Sequence, residues 1–368
     1  MVRRKEKYYF KENQMKIGIL TFHRAYNYGA VLQCYALQEI LKNKGHDVYV
    51  IDYKQPAIEN NRKIFDIKYL DRNKRHPDNI IRYLLHIPIA MMEHRRINHF
   101  VKKYLRLTAS CHDYDIPTNF DAYIIGSDQL WNFDYTGGMD KVYWGNFEHN
   151  KDAKLYTYAV STKCSCLEFI DDIKLKEVLK RFSFVSLREE DTREMLYDKT
   201  GQTVRVDIDP TLLANKNIWD RMMNSKWSQR SFLAFYQVGR SGQHKQIVLQ
   251  HASILAKTMG IELIDLSDYK YSPEDFISII RYAQCVVTTS FHGTAFSLIF
   301  QRPLLVYRLN DGNDGRCINL LSMLGLSHCI MDLDQPARIP QINYVNVAEK
   351  LEKCQALSSE YIDSMGKS

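Results

Sequence analysis

The first half of the chain alternates short apolar runs with longer segments in which apolar residues recur every three to four positions. Residues 16–22 (KIGILTF) alternate apolar side chains and predict a strand. The spacing in residues 30–44 predicts a helix that ends at Gly45, and residues 47–53 (DVYVIDY) predict the next strand. A strand, a helix and a strand in this order form a βαβ unit, so we expect an α/β domain built on a parallel sheet.

A second series of the same kind predicts a second α/β domain. Further strands of the first domain are expected at residues 122–126, 155–160, 184–187 and 204–208. The expected strands and helices of the second domain cover residues 232–238, 244–259, 261–266, 273–282, 286–289, 294–300 and 304–307. The helix at 273–282 has the clearest start, because Ser272 offers an N-cap and Pro273 occupies the first turn.

These patterns divide the chain into four parts. Residues 1–14 are expected to form a flexible N-terminal extension, because they are polar and basic. The first domain is expected at 15–215 and the second at 230–340, with their boundary inside 215–230. A C-terminal helix within 341–368 is expected to pack back on the first domain.

Residues 79–107 interleave apolar clusters with arginine, lysine and histidine. Pro88 is expected to break any single helix here. One interpretation is a set of helices that pack on the domain with solvated basic faces. The other is a basic amphipathic surface in peripheral contact with an anionic membrane.

Composition narrows the class of protein. The 368 residues suffice for two domains, and 45% hydrophobic with 25% charged residues is typical of globular proteins. No apolar run is long enough to cross a bilayer. The 8 cysteines are scattered without a paired motif, which predicts reduced thiols in a cytoplasmic protein. A net charge of +7 suits an anionic ligand, an acidic membrane or nucleic acid.

The strongest candidate for chemistry is the turn Ser290-Phe291-His292-Gly293, between a buried strand and a helix. Such a turn offers backbone N–H groups and the positive end of the helix dipole to an anion. Ser290, Gly293 and Thr294 are therefore candidate anion-binding residues, and the family resemblance given below makes that anion the donor. His292 is the candidate catalytic residue, because an imidazole here can transfer a proton next to a bound phosphate or carboxylate.

Two loops of the first domain are candidates for binding a ligand. The first strand is followed by Asn27, Tyr28 and Gly29, which either offer donors to a ligand or serve the turn and helix cap. The strand at 122–126 is followed by a polar segment that suits sugar hydroxyls, with a tryptophan that could offer its face to a sugar ring: Ser127, Asp128, Gln129, Trp131 and Asn132. The alternative for this segment is an Asp-capped helix with a packed tryptophan.

Two arginines are candidates for gripping an anion. Arg188 comes just after a buried strand, where a guanidinium can hold a carboxylate or phosphate at two points. Its alternative is an ordinary ion pair with a following acidic residue. Arg316 follows a glycine-rich loop and is preferred over Arg308. For Asp209 a structural turn is favoured.

Absent motifs exclude several classes. The sequence has no GxGxxG, no Walker motif and no GxSxG elbow, which argues against dinucleotide oxidoreduction, P-loop hydrolysis and Ser-His-Asp hydrolysis. No paired His or Cys pattern predicts a metal, so neither a metal nor a cofactor is expected. The sequence also lacks a recognisable nucleic-acid module, so nucleic acid is not expected as a partner.

Taken together, the segments resemble the polysaccharide pyruvyl transferase family. The matching pieces, in the family's order, are NYGAVLQCYALQ, FDAYIIGSDQLWN, SLREED with DPTLL, and SPEDFISIIRYAQCVVTTSFHGTAFSLIFQRP. The resemblance implies two Rossmann-like domains in a GT-B-like arrangement, with acceptor on the first, donor on the second and the active-site cleft between them. His292 matches the family's catalytic histidine and Arg188 an arginine linked to donor binding. Some members carry an arginine where this chain has Ser290, and Arg316 is the substitute candidate.

The implied reaction moves pyruvate from phosphoenolpyruvate, as co-substrate, onto two hydroxyls of a sugar or polyprenyl-linked oligosaccharide. The product is a ketal in a bacterial capsule or exopolysaccharide, made in the cytoplasm or on the inner face of the membrane. His292 is expected to protonate the enol methylene, and Asp128 to orient the acceptor or take its proton. The alternatives are a GT-B glycosyltransferase using a nucleotide sugar and a basic, non-catalytic binding protein.

Overall fold

The structure is a computed structural model that describes residues 14–61, 77–238, 243–267, 270–310 and 312–365. The expected N-terminal extension, apart from its last residue, lies outside the described residues. Two parallel sheets carry the described fold, which confirms the α/β class expected from the βαβ pattern.

The first sheet has seven parallel strands in the described part of the chain, in the order β3-β2-β1-β4-β5-β6-β7. Their bounds are β1 Lys16–Leu20, β2 Asp47–Tyr53, β3 Leu107–Cys111, β4 Ala122–Asp128, β5 Lys154–Val160, β6 Ser186–Leu187 and β7 Arg205–Val206. The chain winds outwards in one direction to β3 and then in the other from β4. The crevice between β1 and β4 is therefore the topological switch point, where open α/β sheets bind ligands.

The helices of this half are α1 Tyr28–Asn43, α2 Pro56–Asn61, α3 Pro77–Tyr104, α4 Phe133–Thr136, α5 Cys164–Glu168, α6 Asp172–Leu179, α7 Glu190–Thr200, α8 Pro210–Leu213 and α9 Asn217–Asp220. Asn27 caps α1, its side-chain oxygen accepting a hydrogen bond from Gly29 N at 2.8 Å. The expectation that Pro88 breaks any single helix is wrong, because α3 runs through it. Pro88 lies on the exposed side of α3.

The second sheet has five described strands in the order β12-β11-β10-β8-β9. These are β8 Phe232–Tyr236, β9 Glu262–Asp265, β10 Cys285–Thr288, β11 Leu304–Tyr307 and β12 Ile330–Met331. The accompanying helices are α10 Gln243–Met259, α11 Pro273–Tyr282, α12 Phe291–Ile299, α13 Gly315–Met323 and α14 Tyr344–Ser364. Here the switch point lies between β8 and β10.

The two halves share packed contacts. The Tyr28 ring lies 4.6 Å from the Phe276 ring, and its hydroxyl donates to the Tyr271 carbonyl at 2.9 Å. At the other end, α14 lies against the first sheet, where the Tyr361 hydroxyl donates to the Thr157 carbonyl at 2.7 Å. Among the described helices, none combines the length and hydropathy that crossing a bilayer requires.

Candidate functional site

The two switch points share one cavity of about 170 Å³. Asn27, in the loop after β1, and Asp128, the last residue of β4, line it from the first domain. His292, which follows β10, and Arg316, in the first turn of α13, line it from the second. Sequence-distant polar groups therefore meet where an α/β sheet of each domain is expected to bind a ligand.

His292 is held between the domains. The residue is 5% exposed, and its Nε2 lies 3.7 Å from Asp209 Oδ2, which is longer than a hydrogen bond. On its other side the ring rests on Gly29, where an added Cβ would lie 2.0 Å from Nδ1. Glycine is required at position 29 because no side chain fits under this imidazole.

Replacing Gly29 with alanine is expected to push the His292 ring out of place. A misplacement of about 1 Å can cost on the order of 100-fold in rate, so for the transfer reaction that the sequence resemblance implies we expect a loss of turnover of that size in a phosphate-release assay. Gly315→Ala is a matched control at another helix start, because its Cβ would meet Asp191 only at 3.7 Å. Normal turnover in Gly29→Ala would contradict the placement of the ring.

Asp209 is the hub of the site. Its Oδ1 accepts from Thr211 N at 2.9 Å and Thr211 Oγ1 at 2.7 Å, which caps α8. Its Oδ2 accepts from Arg188 Nη1 at 2.8 Å and from Ser127 Oγ at 3.3 Å. Burial alone would raise the pKa of Asp209, but His292 and Arg188 outweigh it and hold that pKa well below its ordinary value.

The structural role favoured for Asp209 from sequence is thus only half of what the residue does. Its carboxylate also joins Arg188 to His292, residues of different domains. The available signal was an acidic residue directly after a strand, at the same sheet edge as the other candidates. Nothing in the sequence indicated that His292 would lie beside it.

Arg188 is buried, its side chain being 3% exposed. Its Nε donates to Glu189 Oε1 at 3.0 Å, and its guanidinium lies 4.5 Å from the centre of the Phe291 ring. Its Nη2 has no hydrogen-bond partner among the described residues. Burial would lower the pKa of Arg188, but Glu189 and Asp209 raise it. The ion pair that was the alternative interpretation for Arg188 is present, and the Nη2 donor still has no hydrogen-bond partner among the described residues.

Arg188 does not line the His292 cavity. It lines a neighbouring cavity of about 390 Å³, on which Asp209 and Phe291 also border. A third cavity, of about 430 Å³, is lined by Gln129, Glu189 and Arg316 among others. Arg316 borders all three, so it is the guanidinium that the structure brings to His292.

The family follows from comparison with known proteins. The family model described as polysaccharide pyruvyl transferase matches residues 27–311. The chain belongs to the polysaccharide pyruvyl transferase family. A comparison with curated proteins found no match.

Several solved structures are similar to this pyruvyl transferase family member. S. aureus MnaA with UDP has a TM-score of 0.44 at 11% identity, covering 94% of this chain and 90% of its own. A putative UDP-N-acetylglucosamine 2-epimerase from Listeria monocytogenes has a TM-score of 0.47 at 9% identity, covering 95% and 91%. An alpha-glucosyltransferase with UDP and a 13-mer DNA has a TM-score of 0.46 at 10% identity, covering 95% and 92%. Similarity at this level says nothing about activity.

The structure places some expected binding residues of this family member elsewhere. Trp131 cannot offer its face to a sugar, because it is fully buried and stacked on Trp144 with 4.1 Å between ring centres. Asn132 caps α4, its Oδ1 accepting from Asp134 N at 3.0 Å. Tyr28 lies in the contact between the domains, and Ser127 is buried beneath Asp209. These four residues make structural contacts and do not line the His292 cavity.

For the candidate residues around the start of α12 the corrections are smaller. Thr294 is buried and its hydroxyl donates to the Ser290 carbonyl at 3.0 Å. Gly293 packs against Thr288, where an added Cβ would lie 2.3 Å from Oγ1. Neither lines the cavity, whereas Ser290 and Gln129 do. No group of three or more potential metal ligands occurs among the residues that the structure describes.

The role of Trp131 can be measured. Trp131→Ala is expected to lower the free energy of unfolding by about 3–5 kcal/mol, because it leaves a large cavity in the core. Urea denaturation measures the loss. The exposed Tyr114 is the control, and Tyr114→Ala is expected to change stability by about 0.5 kcal/mol or less. A Trp131→Ala protein of normal stability with weakened acceptor binding would restore the original interpretation.

Proposed function

We propose that this protein transfers pyruvate from phosphoenolpyruvate to two hydroxyls of a sugar, in a cell-surface polysaccharide or its lipid-linked precursor. The family supports a transferase that acts on a polysaccharide. The observation that carries the finer proposal is the position of His292. Its imidazole borders the inter-domain cavity, beside Arg316 and at the start of α12, with a buried carboxylate behind it.

The start of α12 is suited to an anion. Ser290 occupies its N-cap position but makes no side-chain cap hydrogen bond, unlike Asn27 on α1 and Ser272 on α11. The first-turn N–H groups of α12 therefore donate no hydrogen bond to the side chain at the N-cap position. A phosphate or carboxylate of the donor supplies the missing acceptor, and Arg316 adds positive charge.

In the first step His292 donates a proton to the methylene carbon of the donor. That carbon becomes a methyl group, and positive charge develops at C2, which is stabilised by its bridging oxygen. Asp209 stabilises the protonated imidazole before transfer, since its carboxylate lies 3.7 Å from Nε2. The imidazole returns to its starting state with a proton from an acceptor hydroxyl.

In the following steps both acceptor oxygens bond to C2 and the bond from C2 to the phosphate oxygen breaks. Two hydroxyl protons are released in all; one balances the new methyl group and the other leaves on phosphate. Asp128 borders the same cavity and is the group that orients the acceptor hydroxyls.

Two measurements test this proposal. Phosphoenolpyruvate is expected to raise the melting temperature of the purified protein, and uridine or guanosine diphosphate sugars are not. Phosphate release from phosphoenolpyruvate is then expected with a member of a panel of lipid-linked or nitrophenyl sugars. Stabilisation by a nucleotide sugar and not by phosphoenolpyruvate would favour a glycosyltransferase instead. Salt-sensitive nucleic-acid binding with no phosphate release would favour a non-catalytic binding protein.

A further inference from the structure

The long helix α3 presents an unusual solvent face. Its N-terminal half carries large apolar side chains that are exposed: Ile81, Leu84, Leu85, Ile89, Met91 and Met92. Leu85 is 69% exposed and Met91 56%. Leaving a group of such side chains in water is costly, and exposed apolar patches of this kind mark interaction surfaces.

The C-terminal half of the same face is basic. Arg95, His99 and Lys102 are exposed, and His99 lies seven residues after Met92 and therefore on the same face of the helix. Lys103 is also exposed, and its Nζ lies 3.6 Å from Glu274 Oε1. The opposite side of this half is buried in the core, with Ile97 and Phe100 nearly inaccessible. The exposed face of α3 is therefore apolar towards its N-terminus and basic towards its C-terminus.

This helix contacts Tyr26, which lies next to the candidate site in the chain. The ring of His94 stacks on Tyr26 with 3.4 Å between ring centres. Asn98 Nδ2 lies 3.4 Å from the Tyr26 hydroxyl. Tyr26 directly precedes Asn27, which lines the His292 cavity. α3 therefore contacts a residue that is the direct neighbour of a cavity-lining residue.

We propose that α3 docks the protein on the surface of a bilayer that contains anionic lipid. The apolar half enters the boundary between head groups and acyl chains, and the basic half contacts the lipid phosphates. Charge decides between partners: a second copy of this protein, with a net charge of +7, would repel the basic half, whereas an anionic surface attracts it. Docking does not depend on the proposed chemistry, but it would bring a lipid-linked acceptor to the cavity.

Co-sedimentation with vesicles tests the docking surface. The full chain is expected to bind phosphatidylcholine vesicles that contain phosphatidylglycerol, more weakly at high salt, and to bind pure phosphatidylcholine poorly. Leu84→Gln/Leu85→Gln/Met92→Gln should weaken binding by on the order of tenfold or more, because it removes apolar area from the contact. Arg95→Gln/Lys102→Gln should weaken binding to anionic vesicles and reduce its salt dependence.

A matched control is available elsewhere on the surface. Phe169 is 83% exposed and Ile173 70%, so Phe169→Gln/Ile173→Gln removes exposed apolar area outside α3 and is expected to leave vesicle binding unchanged. Circular dichroism checks that every variant is folded. Phosphate release with a soluble acceptor is expected to be normal in the α3 variants, which separates docking from the proposed chemistry.

Three results would overturn the proposal. The first is absence of binding by the unaltered protein to anionic vesicles, and the second is unchanged binding by the apolar triple variant. The third is a concentration-dependent dimer that the triple variant abolishes, since the face would then belong to a second copy of the chain.

Discussion

Replacing His292 with alanine is expected to lower kcat for phosphate release by about 10²–10⁴-fold, the range of a positioned general acid. The protein should remain folded, because the imidazole borders a cavity and its Nε2 has no hydrogen-bond partner among the described residues. Steady-state kinetics with phosphoenolpyruvate and a sugar acceptor measures the loss, and thermal unfolding checks the fold.

A matched histidine separates catalysis from general effects of the substitution. His112 is exposed and distant from the cavity lining, so His112→Ala is expected to keep normal turnover. Full activity in His292→Ala would contradict the role of His292 as the proton donor in the proposed mechanism. Loss of activity together with loss of folding would instead make His292 a structural residue.

Changing Asp209 to asparagine is expected to lower both stability and turnover. The substitution leaves the Arg188 guanidinium buried with one fewer negative partner, and breaking a buried pair in this way costs about 3–5 kcal/mol. Turnover should fall as well, because the protonated form of His292 loses its nearby carboxylate. Urea denaturation and steady-state kinetics measure the two effects.

The pH dependence has a definite sign. Asp209 has a lower pKa in the folded protein than in the unfolded chain, so its carboxylate stabilises the fold at pH values above its ordinary pKa of about 4. That contribution is lost as the pH falls through the folded-state pKa. The difference in unfolding free energy between the unaltered protein and Asp209→Asn should therefore be full at neutral pH and shrink in acid.

The control is an ion pair near the surface. Asp220 lies 3.2 Å from Arg281 with both side chains partly exposed, so Asp220→Asn should change stability by about 1 kcal/mol or less. A similarly small loss in Asp209→Asn, with normal turnover, would contradict the central place given to Asp209.

The sequence predicted elements best where a local signal marks the start of the element. The strand Asp47–Tyr53 and the helix Pro273–Tyr282 have the predicted bounds, since glycine precedes the first and an N-cap with proline begins the second. The strand expected at 204–208 is reduced to Arg205–Val206. The prediction that Pro88 breaks the helix failed because a long helix can tolerate a proline at an exposed position.

The candidate site was predicted only as far as local pattern reaches. A strand, a turn and a helix located His292, and strand ends located Asn27 and Asp128 at the same cavity. Local pattern cannot tell which way an aromatic side chain turns, so Trp131 was assigned to a ligand when it belongs to the core. Nor can it show that Asp209 and His292, from different domains, are neighbours.

The contact between Gly29 and His292 joins the two domains at a point where there is no room for a side chain at position 29. One wall of the imidazole pocket is main chain, which cannot swing aside as a side chain could. The residue permitted at position 29 is thus determined by the opposite domain, and any sliding of one domain over the other would move the His292 ring. Alignment of the two domains and alignment of this imidazole are the same geometric requirement.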